Sequence, residues 1–406
     1  MSREDLIIGL DIGTTSIQVV VASKKRTQET PQIIGWGEAP SQGIRRGVIV
    51  DIESAAAAIR EAFQKAINHA GIKYGEAIVS MSGDNVYVRP SRGVIIVSRA
   101  DREISREDIQ RALAQAEAIP ATPNREILHN LPREWTVDGE RGIKDPLGMT
   151  GVKLEVDALI VEVGAQSLKN LRKAVNLSGI KIKELVLSPL AASYAVLSPR
   201  QKELGTLALD IGGSVTGLVI YEEGDIYHAG ILKYGSAHVT HDLVYGLQVD
   251  VDTAEKIKKM HGSALVESTS SKDMVDLKKL GGENSIQRRE IATICEARLS
   301  EILELAQKEL KKVGRSSMLP GGVVLTGGGS KIPRLDKLAK RELGLPVSRG
   351  VAQKISGPEE IVQDPIFATA LGLVIWGFDE TYKSGVGNSD ETRGGFLDWF
   401  KQTFIP

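Results

Sequence analysis

The strongest constraint on this chain is an internal duplication. The segment LDIGTTSIQVVV begins at Leu10 and LDIGGSVTGLVI begins at Leu209, an offset of 199 residues. Each reads as an apolar strand that ends in Asp-Ile-Gly, a turn of small residues, and a second strand that returns. Two similar halves are the simplest architecture that uses one hairpin twice.

The repeated turn has the chemistry of an anion site. Glycines let backbone N–H groups converge on phosphate oxygens, and Ser or Thr hydroxyls add donors. This marks Gly13, Thr14 and Thr15 in the first copy and Gly212, Gly213, Ser214 and Thr216 in the second. Asp11 and Asp210 suit Mg²⁺ held through water, because that ion keeps several waters and takes only one or two carboxylates. Taken singly, such a turn is an ordinary hairpin. A third element separates the two readings. GGVVLTGGGSKIPRLDKLAKREL is a buried strand, then Gly327, Gly328, Gly329 and Ser330, then a helix with Pro333 near its first turn. Bare glycine backbone at a helix start lets a ribose or flat ring lie close. In this order, the three elements predict a nucleotide cleft between two like domains.

Strand-like runs alternate with helical patterns, as in AAAAIREAFQKAINHAG followed by EAIVSMSG, so the expected class is α/β. A length of 406 residues is enough for two or more domains. With 51 basic and 52 acidic residues the chain has no overall field to attract nucleic acid, and none is expected as a partner. Cys295 is the only cysteine, in an amphipathic helical stretch, and reads as a packed thiol in a reducing cytosol. The opening MSREDLIIGL has too few consecutive apolar residues for a secretory signal, and no run reaches the ~20 apolar residues of a membrane span. Residues 265–285 read as an exposed excursion, and 384–395 as a flexible tether.

These motifs resemble the actin/Hsp70/sugar-kinase superfamily. Asp11, Gly13, Thr14 and Thr15 match its first phosphate motif; Asp210, Gly212, Gly213, Ser214 and Thr216 match its second; Gly327 to Gly329 match its adenosine motif. LVLSPLAASYAVL (Pro189, Ala191, Ala192) and PIFATALGLVIWG (Ala368, Gly372) resemble the linking motifs, and Glu255 and Lys258 match positions expected near adenosine. The stretch REILHNLPREWTVDGERGIKDPLGMTGVKLEVDALIV looks like the insert of the FtsA family, bacterial cell-division relatives of actin, as does GSAHVTHDLVYGL.

The resemblance implies an actin-like, ribonuclease H-like fold with duplicated domains around a nucleotide cleft. The first domain takes 1–84 with 165–203 and 353–382, and the inserted subdomain 85–164. The second takes 204–240 with 300–352, and its smaller subdomain 241–299. A linker (383–395) and an amphipathic helix (396–406) follow. It implies ATP and Mg²⁺ as ligands, filaments of the chain with itself, and FtsZ as a partner bound through 241–299. Later division proteins are implied too, with a place on the cytoplasmic face of the membrane at the septum, where FtsA-like proteins tether the FtsZ ring.

Two departures bear on catalysis. Relatives place Gln or Glu near the attacking water where this chain has Ser188, and a hydroxyl is no strong base, so at most slow hydrolysis is expected and no catalytic residue is assigned. Paired family glycines appear here as Tyr234-Gly235. His238 and His241 lack a third ligand at metal spacing and read as helix-start residues.

The chain closes on GGFLDWFKQTFIP. At about 100° per residue, Phe396, Leu397, Trp399, Phe400 and Phe404 share an arc of roughly 160°, opposite Asp398, Lys401 and Gln402. The pattern fits a short helix in a membrane interface, or one docked on the protein's own surface; the family resemblance favours membrane lipid. Burying five large apolar side chains contributes on the order of 10 kcal/mol at most, against an ordering cost of ~1–2 kcal/mol for each residue, so a single tail binds weakly. Polymerisation would then supply avidity. Competing readings are another actin-like assembly protein resembling PilM and a sugar-kinase-class enzyme. The latter needs a carboxylate base beside the motifs, and an Hsp70-like chaperone needs a peptide-binding domain after the core.

Overall fold

The computed structural model describes residues 5–25, 27–73, 75–118, 122–270, 272–280 and 285–379. The tether and the aromatic tail, including Phe396, Leu397, Trp399, Phe400 and Phe404, lie outside the described residues. The chain forms two compact units, one taking in 1–84, 170–183 and 187–378, the other built on 85–169.

The larger unit holds two five-stranded sheets of the same plan. In the first, the order is Lys181–Leu187, Glu76–Met81, Asp5–Ile12, Ser16–Lys24, Gln32–Pro40. In the second it is Asp225–Leu232, Thr216–Glu222, Thr206–Ile211, Val323–Thr326, Val347–Arg349. The duplicated hairpins occupy equivalent places. Asp5–Ile12 pairs antiparallel with Ser16–Lys24 and parallel with Glu76–Met81. Thr206–Ile211 pairs antiparallel with Thr216–Glu222 and parallel with Val323–Thr326. Continuous apolar runs such as VVLT are what a strand covered on both faces requires.

Two apolar helices, Ser188–Val196 and Ala368–Phe378, lie against these sheets and are buried along nearly their whole length. They cross at Gly372, where a methyl group would stand 1.8 Å from the carbonyl oxygen of Ala191. At Gly217 a methyl would meet Pro189 Cβ at 2.5 Å, so the first of these helices also presses on the second sheet. The linking motifs therefore bring one helix backbone directly against the other and against the second sheet.

Beyond the second sheet, Ser236–Leu247, Val251–His261 and Arg288–Lys312 pack around Val239, Leu243, Ile257, Ile291, Cys295 and Leu299. Cys295 is wholly buried, and burial pushes its thiol up to about 11, as suits a packing residue. The stretch read as an exposed excursion is partly buried. Met274–Asp276 and Ser285–Gln287 form a two-stranded ribbon, and Val275 and Leu277 drop into the core. Single buried hydrophobes in a polar run leave too little periodicity to read.

The smaller unit is a four-stranded antiparallel sheet in the order Val86–Ile96, Lys153–Gly164, Arg125–Val137, Glu140–Ile143. One face packs on the helix Arg106–Glu117 through Ile95, Ala112, Leu113, Trp135 and Leu154. A Ser105–Asp108 capping box starts that helix, and Gly93 admits it: a methyl there would lie 1.9 Å from the Ala112 carbonyl oxygen.

Candidate functional site

Each duplicated hairpin delivers an aspartate at the end of its first strand, and the small turn residues come directly after. Within the larger unit the two turns meet. A methyl on Gly213 would stand 2.3 Å from Thr15 Oγ1, so the second turn comes within van der Waals reach of the first, and a side chain there would have to turn the Thr15 hydroxyl aside.

The turns are held differently. In the first, Gly47 N–H donates to Thr14 Oγ1 at 3.2 Å, and Ser41 N–H donates to the Thr15 carbonyl at 3.1 Å. In the second, Ser236 and Ala237, at the start of the helix Ser236–Leu247, donate their N–H groups to the Gly212 and Gly213 carbonyls at 2.9 and 2.7 Å. Gly235 lets the helix in, since a methyl there would lie 2.6 Å from both of those oxygens. Thr216 is fully buried, and its hydroxyl donates to the Tyr234 carbonyl at 2.8 Å. It therefore braces the turn from behind, while Gly212, Gly213 and Ser214 remain partly open.

The aspartates are electrostatically coupled. Burial pushes the Asp11 carboxyl up to about 6, against the opposing pull of the Ser80 hydroxyl. Burial and then the nearby charge of Asp11 push Asp210 up to about 7. Neither residue is wholly enclosed, yet both carboxyls are poor in water and good partners for a cation. Ser80 was invisible in the sequence because it lies 69 residues from Asp11. Its hydroxyl donates to Asp11 Oδ1 at 2.7 Å and accepts from Ile12 N–H at 2.9 Å. Thr326 stands opposite Asp210 in the matching parallel pair, fully buried, with Oγ1 unpartnered among the described residues.

The triple-glycine loop closes on the second aspartate. Gly327 takes φ +78°, and a methyl there would lie 2.3 Å from Asp210 Oδ1; one on Gly329 would meet Ile211 Cγ2 at 2.4 Å. Gly328 has only Ile366 nearby, at 3.5 Å, which leaves it the open member of the three. Ser330 is buried, and its hydroxyl donates to the Gly327 carbonyl at 2.7 Å. The helix expected with Pro333 near its first turn does follow, but not directly on the glycines. Gly328–Lys331 is a short 3₁₀ turn, and the α-helix Leu335–Leu343 starts later. The Pro333 carbonyl instead accepts from Ala264 N–H at 2.9 Å, which ties this loop to the end of Val251–His261.

Glu255 and Lys258 share one face of Val251–His261. Lys258 is buried; its ammonium lies 2.6 Å from Glu255 Oε2 and donates to Thr240 Oγ1 at 2.8 Å and to the Ser236 carbonyl at 3.2 Å. Thr240 donates to Glu255 Oε2 at 2.6 Å. Burial draws the Lys258 ammonium below the usual lysine range, with Glu255 opposing. Burial acts to raise the Glu255 carboxyl, but Lys258, the Thr240 hydroxyl and Lys259 together outweigh it and the carboxyl sits below its ordinary value. The cluster braces the same helix start that holds the second turn.

Ser188 begins its helix buried, donating to the Met81 carbonyl at 3.1 Å. His238 Nδ1 accepts from Gly235 N–H at 3.1 Å as a helix cap, and no metal-binding cluster of His, Cys, Asp and Glu occurs among the described residues.

Comparison with known proteins places this geometry. A family profile described as "Cell division protein FtsA" matches residues 207–372, and one described as "SHS2 domain inserted in FTSA" matches 83–162. The chain is 37% identical to the cell division protein FtsA of Borreliella burgdorferi, over 93% of this chain and 91% of that protein. It is 34% identical to the FtsA of Bacillus subtilis, over 92% and 84%. Among solved structures, a PilM–PilN type IV pilus biogenesis complex aligns with TM-score 0.68 at 18% identity, covering 92% of this chain and 98% of that one. MreB5 of Spiroplasma citri bound to ADP aligns with TM-score 0.54 at 16% identity, covering 94% and 97%. At such identities the likeness is one of fold, and the fold is actin-like with an inserted SHS2 domain, as the motifs implied.

Proposed function

The chain belongs to the FtsA family of cell-division proteins, and from that premise we propose that it is a nucleotide-dependent scaffold that tethers FtsZ filaments to the cytoplasmic face of the membrane at the division septum. The observation that carries the nucleotide half is the meeting of the two turns at Gly213 and Thr15, with Asp11 and Asp210 behind them.

In this reading Gly13, Thr14, Thr15, Gly212, Gly213 and Ser214 supply donors to the phosphates of ATP, with Thr216 holding the second turn in place. Gly327 to Gly329 offer bare backbone to the adenosine, and Ser330 fixes that loop's shape. Glu255 and Lys258 brace the helix at its edge. The residues fit Mg²⁺: two poorly hydrated carboxyls lie close enough that the charge of Asp11 raises Asp210, and the Thr326 hydroxyl, unpartnered among the described residues, sits beside Asp210. Bound there through water, Mg²⁺ would neutralise phosphate charge. Ser188 is already bonded to a carbonyl and lacks the basicity to activate water, which supports a slow ATPase in which nucleotide mainly sets conformation.

The membrane half rests on the aromatic tail and the family. Self-assembly into filaments would align many weakly binding tails. The test is vesicle flotation with ATP and Mg²⁺, comparing the full chain with one truncated after Gly395. Flotation of the full chain alone, carrying FtsZ with it, is the expected result; equal behaviour of the two chains would remove the tether from the reading.

A further inference from the structure

One end of the first sheet is basic, and the described chain ends there. The helix Ala165–Leu177 contains no acidic residue and exposes Arg172 and Lys173. Arg60 of the helix Ile52–Ala70 donates to its last carbonyl, that of Leu177, at 2.8 Å. Four residues on, Lys181 and Lys183 approach Glu76 at 3.9 Å each, at the first residue of Glu76–Met81. Lys73 precedes that strand, and Lys25 follows Lys24, which pairs with Asp5 at the same end of the sheet. Lys25, Lys73, Arg172 and Lys173 are exposed, and none forms an ion pair among the described residues. The acidic residues in or beside these segments are Asp5, Glu29, Glu76, Glu184 and Asp379, fewer than the basic ones. In a chain of almost balanced charge, this is a local excess of cations.

The exit of the chain lies beside it. A methyl on Gly377 would stand 2.6 Å from Ile78 Cδ1 and 2.7 Å from Ile7 Cγ2, and Ile78 is two residues from Glu76. The last helix, Ala368–Phe378, thus finishes at the end of the sheet that carries the lysines. The phosphate turns follow Ile12, at the opposite end of the same strand.

We propose that this basic end is a second membrane contact, seated on anionic lipid headgroups when the tail is inserted. The inference rests on the tether reading above and deepens it. The tail's own cations, Lys401 and Arg393, are offset by Asp390, Glu391 and Asp398, so it brings apolar area with little charge. The folded body brings the complement, cations on a rigid surface at the point where residues 380–406 leave it. Attraction of exposed Lys and Arg to an anionic surface falls off within a Debye length, which this placement satisfies only if the body lies close to the bilayer.

The test uses the full chain with ATP and Mg²⁺ on vesicles of phosphatidylcholine alone and of phosphatidylcholine with about one-third phosphatidylglycerol, the anionic share at which each cation is worth up to about fivefold in binding. The variant carries Arg172→Gln, Lys173→Gln, Lys181→Gln and Lys183→Gln. On anionic vesicles its half-binding lipid concentration rises about tenfold or more, and on neutral vesicles it matches the unaltered chain. A charge-keeping variant with Arg172→Lys, Lys173→Arg, Lys181→Arg and Lys183→Arg binds both as the unaltered chain does. An undiminished glutamine variant on anionic vesicles overturns the proposal, as does an equal loss on neutral vesicles or in the charge-keeping variant. Truncation after Gly395 separates the two ideas: a truncated chain that still floats on both vesicles sinks the tail anchor, while the anionic difference judges the basic face independently.

Discussion

Ser80 donates its hydroxyl hydrogen to Asp11 across 2.7 Å. At the matching place in the second sheet Thr326 lies beside Asp210 with a buried hydroxyl that has no partner among the described residues. One hydroxyl stabilises the folded state and the other is an uncompensated burial. Ser80→Ala is expected to cost about 1–2 kcal/mol in nucleotide-free protein, because it strips a partner from Asp11 and from the Ile12 amide. Thr326→Val is expected to lie within about 0.5 kcal/mol of the parent or above it. Guanidinium unfolding of the two variants side by side checks this; equal costs would mean that the duplicated sites are not chemically distinct.

The aspartates also set a pH dependence. Both folded-state values are raised, to about 6 and about 7, from an ordinary value near 3.8. A raised carboxyl favours the folded state most below its unfolded value, and this contribution is lost as pH climbs through the folded value. Nucleotide-free protein should therefore lose stability between about pH 4 and 7 from this pair, by about 1–3 kcal/mol after discounting for partial exposure. Asp210→Asn should flatten that slope and be the more stable protein at pH 8. Unfolding midpoints measured across the range decide it, and an unchanged slope in the asparagine variant would show that the pair is not the cause.

Lys258 and Glu255 make a partly buried pair in which each group depends on the other. Lys258→Met should strand the carboxyl beside Thr240 and cost about 2–4 kcal/mol. Adding Glu255→Gln should recover part of that loss, since breaking one half of such a pair is worse than removing both charges. A double-mutant cycle by thermal melting reads the coupling, and simple additivity would contradict the arrangement.

What the sequence made legible follows from range. The duplicated hairpins, the triple-glycine loop and the apolar helices are local patterns, and Asp11, Gly213 and Gly327 could be named from them. Ser80 could not, because its role comes from a parallel pairing between strands far apart in the chain. Thr216 was legible as a hydroxyl near the turn but not as one that faces Tyr234, which depends on where the helix Ser236–Leu247 docks. The ribbon around Val275 was missed for a related reason: a three-residue strand has no period to detect. The basic end of the first sheet is assembled from short basic stretches far apart in the chain, Lys24 and Lys25, Lys73, Arg172 and Lys173, Lys181 and Lys183, which only the pairing of the strands brings to one end.

Gly372 gives the last prediction, because it links packing to the site. A methyl there would lie 1.8 Å from the Ala191 carbonyl oxygen, and backbone cannot yield as a side-chain tip can. Gly372→Ala should push apart the helices Ser188–Val196 and Ala368–Phe378, at a cost near or above the upper end of the usual ~1–3 kcal/mol for overpacking. One helix presses on the second sheet at Gly217; the other meets the first at Gly9, where a methyl would lie 2.4 Å from the Ala370 carbonyl oxygen. Separating them shifts Asp11 relative to Asp210, so nucleotide affinity should fall even at a temperature where the variant is folded. Leu303→Ala, a cavity of comparable cost (~2–5 kcal/mol) in a fully buried position away from both turns, should lower the melting temperature and leave affinity intact. Equal affinity in the two variants would reduce Gly372 to a packing residue and leave the helix crossing without a part in setting the distance between the two aspartates.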